Sequence, residues 1–150
     1  MPNVGVAVGE GALGVAANDL LAPEELEQVV TLLAPLGRII DVSEEQMDAV
    51  PALGGSGPAY FLSFLEAMTD GGVRMGLPRD KAYALALQTV KGTVALLEKE
   101  HGHPALLKER VTSPGGTTIA GLVILEEKGF KGIVVRALEA ARARAGELSR

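Results

Sequence analysis

Two stretches of this chain leave little choice about how it can fold. Ala59-Tyr60-Phe61-Leu62-Ser63-Phe64-Leu65 has one polar residue in seven, and Tyr83-Ala84-Leu85-Ala86-Leu87 has none in five. Both sit inside long runs of helix-forming residues. A surface helix keeps a polar face, and a helix without one must be covered on every side. About 100 residues of helix in one chain cannot supply that cover, because a small domain leaves much of its surface in water. The expectation is an obligate oligomer, a C2 homodimer with interleaved helices or a higher oligomer of dimers. Composition narrows the packing: hydrophobic content is 47% but aromatic content only 3%. Such a core is built from Ala, Leu and Val packed around Gly, which suits helices that approach closely.

Residues 1–42 read differently from the rest. Val4–Val8 and Gly14–Ala17 are short apolar runs bounded by Gly and Asn, hence expected strands. Pro23-Glu24-Glu25 opens a helix expected through Leu36, with Leu26, Val29, Val30 and Leu33 on one face and Gly37 as its stop. Arg38–Val42 follows as a strand. This strand, helix, strand rhythm has too few strands to close a sheet, so the segment reads as the edge of a larger α/β domain. From Ser43 nearly everything reads as helix: Ser43 or Glu44 to Leu53, Gly57 or Pro58 to Met75, Arg79 or Asp80 to Glu100, Pro104 to Thr112, Thr118 to Lys128, and a last one through Leu148. The expected class is mainly α, with a helical domain over 43–150 preceded by a short α/β remnant over 1–42.

Several function classes are disfavoured. A formal net charge of -5, with basic and acidic residues interleaved, gives no basic stripe for nucleic acid. There is no cysteine, hence no disulfide or thiol chemistry, in keeping with a reducing compartment. The first ten residues lack a basic run and a long apolar stretch, so no signal peptide is expected. No segment approaches the roughly 18 uninterrupted apolar residues of a membrane span. A soluble cytoplasmic protein is the expectation.

The chemistry-bearing feature is Ser113-Pro114-Gly115-Gly116-Thr117-Thr118, a turn with little side-chain bulk between two helices. Ser113 and Pro114 stop the first helix, the glycines admit angles closed to other residues, and Thr117 or Thr118 is a suitable N-cap for the second. The first N–H groups of that helix lack internal partners and carry positive potential, so a carboxylate would fit there. A plain Gly-rich helix connection fits equally well.

Other motifs carry less. Gly9-Glu10-Gly11-Ala12-Leu13-Gly14 matches the dinucleotide pattern G-x-G-x-x-G, and Asp41 lies at a tolerable distance, but the pattern needs a helix directly after it, and Val15–Asn18 reads as a strand ending in a turn. His101 and His103 stand near Glu98 and Glu100 without a further ligand cluster, so no metal site is expected. Arg136, Arg142, Arg144 and Glu139 read as a salt-bridged, solvated helix face. Gly54-Gly55-Ser56-Gly57-Pro58-Ala59 is a second Gly-rich helix start, either a close packing contact or a flat floor for a ring. Neither Gly-rich loop contains an acid, so strong general acid–base catalysis is not offered.

Together these segments resemble the C-terminal part of pyrroline-5-carboxylate reductase. The resemblance rests on Ala52–Tyr60, on Asp70–Arg79, and above all on Val111-Thr112-Ser113-Pro114-Gly115-Gly116-Thr117-Thr118-Ile119-Ala120-Gly121-Leu122. Met1-Pro2-Asn3 is similar to the family's Met-Pro-Asn loop beside the nicotinamide, with Val4 where Thr is usual. The resemblance implies an N-terminal Rossmann domain that holds NAD(P)H, a helical domain that interlocks into a dimer, and a substrate between the two. It implies that Ser113, Gly115 and the N–H groups of Gly116, Thr117 and Thr118 bind the substrate carboxylate. It also implies that the Thr118 hydroxyl, the catalytic contact, bonds the ring nitrogen. Pro2, Asn3, Ser56, Gly57 and Pro58 would lie toward the cofactor. The implied reaction is NAD(P)H-dependent reduction of 1-pyrroline-5-carboxylate to L-proline, in which hydride addition to a protonated imine needs no enzyme base. The family's first βαβ unit and phosphate-binding glycines have no counterpart here, so the isolated chain is expected to be inactive. The alternative is a non-catalytic helical dimer that associates with full-length reductase.

Overall fold

A computed structural model, which describes residues 1–18 and 21–148, gives a mainly α architecture with a two-stranded parallel sheet near its start. The chain forms two compact units, residues 1–60 with 134–150, and residues 61–133. The change of sequence pattern at residue 43 lies inside the first unit.

In the first unit, β1 (Gly11–Val15) and β2 (Gly37–Asp41) pair in parallel from Gly11 opposite Gly37 to Val15 opposite Asp41. They are joined by α1 (Pro23–Leu33) and a 3-10 turn, Ala34–Leu36. Pro23 takes the first helical position, and the Glu25 carboxylate accepts the Ala22 N–H at 2.9 Å. Gly37 is dictated by space and angle: its φ is 141°, and a Cβ there would stand 2.1 Å from the Gly11 carbonyl oxygen. Leu13 is buried in this unit, and Gly14 packs directly under Val50.

Three expectations for this region are corrected. Val4–Val8 is a 3-10 helix and not a strand. The Asn3 side chain caps it by accepting the Gly5 N–H at 3.1 Å, and Gly9, with φ 75°, ends it. An apolar run of five cannot by itself distinguish the two states. The following strand is Gly11–Val15, three residues earlier than Gly14–Ala17. The expected helix from Ser43 to Leu53 is broken into a 3-10 turn, Glu44–Gln46, and a π-helical turn, Pro51–Gly55. Pro51 has no N–H to continue the helix, and the wide turn closes where the Ser56 N–H donates to the Pro51 carbonyl at 2.9 Å.

The remaining helices lie close to their sequence bounds: α2 Gly57–Arg74, α3 Arg79–Glu100, α4 Pro104–Arg110, α5 Thr117–Glu127 and α6 Phe130–Leu148. Their stops are glycines at φ 98° (Gly76) and 70° (Gly129), and His101 at φ 47°. The core of the second unit is small-residue packing, with Leu65, Ala82, Ala86 and Leu107 buried. A Cβ on Gly72 would lie 2.9 Å from that of Ala82, so α2 and α3 approach almost backbone to backbone. Buried Thr69 satisfies its hydroxyl on the Leu65 carbonyl at 2.9 Å.

Neither α5 nor α6 buries a residue in this chain. Leu85 of α3 is 58% exposed, Ile124 of α5 56% and Val135 of α6 53%. Faces as apolar as these, left open by their own chain, are what a protein interface covers. No helix of the described residues is long and apolar enough to cross a membrane.

Candidate functional site

The loop between α4 and α5 is a tight turn. The Gly116 N–H donates to the Ser113 carbonyl at 3.0 Å, Pro114 takes the second position and Gly115, at φ 66°, the third. Proline followed by a positive-φ glycine is the signature of a type II turn. Gly115 is therefore required by its backbone angle. Gly116 is required for another reason: its φ of -77° and ψ of 172° suit any residue, but a Cβ would stand 2.3 Å from Ser113 Oγ and 3.1 Å from the Ser113 carbonyl oxygen. The missing side chain leaves the Ser113 hydroxyl where it is.

Helix α5 begins one residue earlier than the threonines suggest. Its N-cap is Gly116, with no side-chain cap bond, and Thr117 is the first helical residue, not a cap. The first backbone bond into the helix runs from the Ala120 N–H to the Gly116 carbonyl at 3.4 Å. Among the described residues the N–H groups of Thr117, Thr118 and Ile119 meet no acceptor, and the hydroxyls of Ser113, Thr117 and Thr118 make no internal bond. The Gly116 N–H, expected to face a carboxylate, is instead held in the turn. Ile119, which sequence reasoning passed over, takes its place in the open set of amides. The signal for it was available, since a helix start leaves its first amides open wherever the cap falls. Ser113, Thr117 and Thr118 are exposed and Gly116 is half-buried.

This end of α5 carries no acid; Glu126 and Glu127 lie at the other end. There the Lys131 ammonium, hydrogen-bonded to Glu126 at 2.8 Å, holds the Glu126 carboxyl below its ordinary range. The open amides and hydroxyls thus form a donor set with no acid in the first turn of α5, able to bind a carboxylate and to place a hydroxyl oxygen beside it.

The residues expected on the cofactor side lie in the first unit. Pro2 is exposed, and the Asn3 side-chain amide reaches the Gly54 carbonyl at 3.1 Å, in the π-helical turn that leads to Ser56, Gly57 and Pro58. Gly57 has open space above it within the chain. The Gly9 to Gly14 pattern leads into β1 and not into a helix. His103 has a structural role: its Nδ1 accepts the Ala105 N–H at 3.2 Å and caps α4. Among the described residues no group of three metal-ligating side chains converges. Arg144 pairs with Glu147 at 2.6 Å on α6.

Comparison with known proteins places these features in a family. Residues 44–148 match the family model for pyrroline-5-carboxylate reductase dimerisation. The chain is 46% identical over 150 residues to a pyrroline-5-carboxylate reductase of Synechocystis, covering 100% of this chain and 56% of that protein. It is 45% identical over 149 residues to one of Arabidopsis thaliana, covering 99% and 54%. Among solved structures, a Coxiella burnetii pyrroline-5-carboxylate reductase superposes with a TM-score of 0.96 at 35% identity, covering 100% of this chain and 56% of that one. A Plasmodium falciparum pyrroline carboxylate reductase with NADP bound superposes with a TM-score of 0.91 at 36% identity, covering 100% and 62%. The chain thus spans little more than half the length of these relatives. It belongs to the pyrroline-5-carboxylate reductase family and carries that family's dimerisation region.

Proposed function

We propose that these 150 residues are the substrate-binding and dimerisation part of a reductase that converts 1-pyrroline-5-carboxylate to L-proline with NAD(P)H. The observation that carries this reading is the donor set at Ser113–Ile119: open amides, three hydroxyls and no acid in the first turn of α5. The amides of Thr117, Thr118 and Ile119, with the Ser113 hydroxyl, hold the substrate carboxylate. The Thr118 hydroxyl oxygen accepts the N–H of the protonated imine and keeps that bond in the product amine. Orientation and charge complementarity then carry the step, and no enzyme base is needed. Gly115 and Gly116 serve by shaping the turn. The uncovered faces of α3, α5 and α6 pair two copies into a homodimer. Residues 1–42 are the end of a Rossmann-like domain, and Pro2, Asn3, Ser56, Gly57 and Pro58 lie on the nicotinamide side.

The pyrophosphate of a dinucleotide does not fit these residues. The helix of the α/β segment starts with Glu24 and Glu25, and the Glu25 carboxylate already caps it. A phosphate there would meet like charge. We therefore expect the 150 residues alone, mixed with NADPH and pyrroline-5-carboxylate, to give no turnover, while sedimentation equilibrium returns a dimer mass. Substrate-dependent loss of NADPH absorbance would overturn the first expectation, and a concentration-independent monomer the second.

A further inference from the structure

The Asn3 side chain makes three hydrogen bonds within the chain. Its Oδ1 accepts the N–H of Gly5 at 3.1 Å and of Ala12 at 3.0 Å, and its Nδ2 donates to the Gly54 carbonyl at 3.1 Å, 51 residues away. Two donors on one side and an acceptor on the other fix which way the amide points. The bonds to β1 follow a ladder. The Met1 nitrogen donates to the Gly14 carbonyl at 2.7 Å and the Gly14 N–H returns to the Met1 carbonyl at 3.0 Å, the two-way exchange of an antiparallel pair. Two residues on along one strand and two back along the other, Asn3 meets Ala12, but with its side-chain oxygen in place of its backbone carbonyl. That substitution frees the Asn3 carbonyl to accept the Val6 N–H at 3.3 Å and start the 3-10 turn. It also leaves the side-chain N–H to reach the π-helical turn.

We propose that Asn3 is a positioning residue which locks the start of α2 to the edge of β1 that faces away from β2, and that it acts through Gly54 without touching a ligand. Its functional meaning rests on the reading of Ser56–Pro58 as the nicotinamide side. The Ser56 N–H closes on Pro51 across Gly54, so the bond at Gly54 sets where the Ser56–Pro58 helix start stands. Gly54 and Gly57 have no neighbouring atoms of the chain within 4 Å of a built Cβ, so packing on those residues does not hold the turn in place. Within the turn Ala52 is the residue held by burial, and Asn3 is the side chain that ties the turn to the edge of β1 by a hydrogen bond.

The test separates the two halves of the Asn3 amide. Asn3→Asp keeps the oxygen that accepts from Gly5 and Ala12 but replaces the donor to Gly54 with a carboxylate oxygen; Asn3→Ala removes all three bonds. The readout is NMR on the ligand-free full chain: amide exchange at Gly5, Ala12 and Ser56, and the Gly54 carbonyl carbon shift. The expected result for Asn3→Asp is retained protection at Gly5 and Ala12, a moved Gly54 carbonyl, and Ser56 exchange faster by about threefold to tenfold, the scale of one hydrogen bond. Asn3→Ala should loosen all three amides. An unchanged Ser56 and Gly54 in both variants would overturn the proposal, and so would Gly5 and Ala12 loosening as much as Ser56 in Asn3→Asp, because Asn3 would then organise only its own loop. Reduced nicotinamide mononucleotide, added to the unmodified chain, tests the other assumption separately. Saturable shifts at Ser56 and Gly57 support the nicotinamide side, and their absence removes that reading while the tether is judged by the exchange data.

Discussion

Replacing Gly116 with alanine should damage ligand binding while leaving the fold nearly untouched. The backbone at Gly116, φ -77° and ψ 172°, is open to alanine, so the change should gain about 0.4 to 1 kcal/mol by restricting the unfolded chain. Against this, the new Cβ would lie 2.3 Å from Ser113 Oγ and 3.1 Å from the Ser113 carbonyl oxygen. The carbonyl has to give by a few tenths of an ångström, and the hydroxyl has to turn away, at a cost of about 0.5 to 1.5 kcal/mol. The two effects roughly cancel, and thermal unfolding should move by no more than the equivalent of about 1 kcal/mol. Binding has no such offset. A Ser113 hydroxyl turned away loses a hydrogen bond to a charged group worth about 1.5 to 3 kcal/mol, so the affinity for L-proline by titration calorimetry should fall by about 10- to 150-fold. If the effect runs through Ser113, Ser113→Ala should weaken binding to a similar degree, and the double variant should lose little more. A Gly116→Ala protein that binds L-proline as tightly as the parent would refute the reasoning. So would additive losses in the double variant.

Thr118→Ala should weaken L-proline binding by about 1 to 3 kcal/mol, the scale of a hydrogen bond to a charged group, with the dimer mass unchanged in sedimentation. Gly37→Ala should cost about 3 kcal/mol or more in chemical unfolding, because strain at φ 141° adds to a Cβ pressed within 2.1 Å of the Gly11 carbonyl oxygen. Ile124→Glu, at a position 56% exposed in the single chain, should leave the helix content intact by circular dichroism and weaken self-association at least about tenfold, since a charge would be buried in the interface.

Helix positions were legible wherever a proline or glycine punctuated an apolar run. Gly76, Pro78, His101, Pro104 and Gly129 bound α3, α4, α5 and α6 within a few residues of expectation. The need for a partner was legible too, because stretches such as Tyr83–Leu87 have no polar face and their own chain leaves much of them open. The errors cluster where particular contacts override the general pattern. Val4–Val8 is an apolar run such as a strand would carry, yet Asn3 and the close approach of Gly5 to the Glu10 carbonyl fold it into a 3-10 turn. Residues 44–55 carry helix formers, but the chain breaks at Met47–Asp48 and widens into a π-helical turn from Pro51. At the site, the loop and its open amides could be foreseen from Pro114 and the two glycines. That Gly116, and not Thr117 or Thr118, caps the helix could not, because that depends on the turn closing from Gly116 onto Ser113. The reach of Asn3 to Gly54 had no local signal, since the two are 51 residues apart.

The claim that the start of α5 is a carboxylate site is tested most directly by following backbone amides of the unmodified protein as L-proline is added. Saturable shifts are expected at Thr117, Thr118 and Ile119, with slower exchange of those N–H groups, while Gly116, already bonded to Ser113, changes little. Unmoved amides at Thr117, Thr118 and Ile119 at the highest ligand concentration, in a protein still folded and dimeric, would contradict the account.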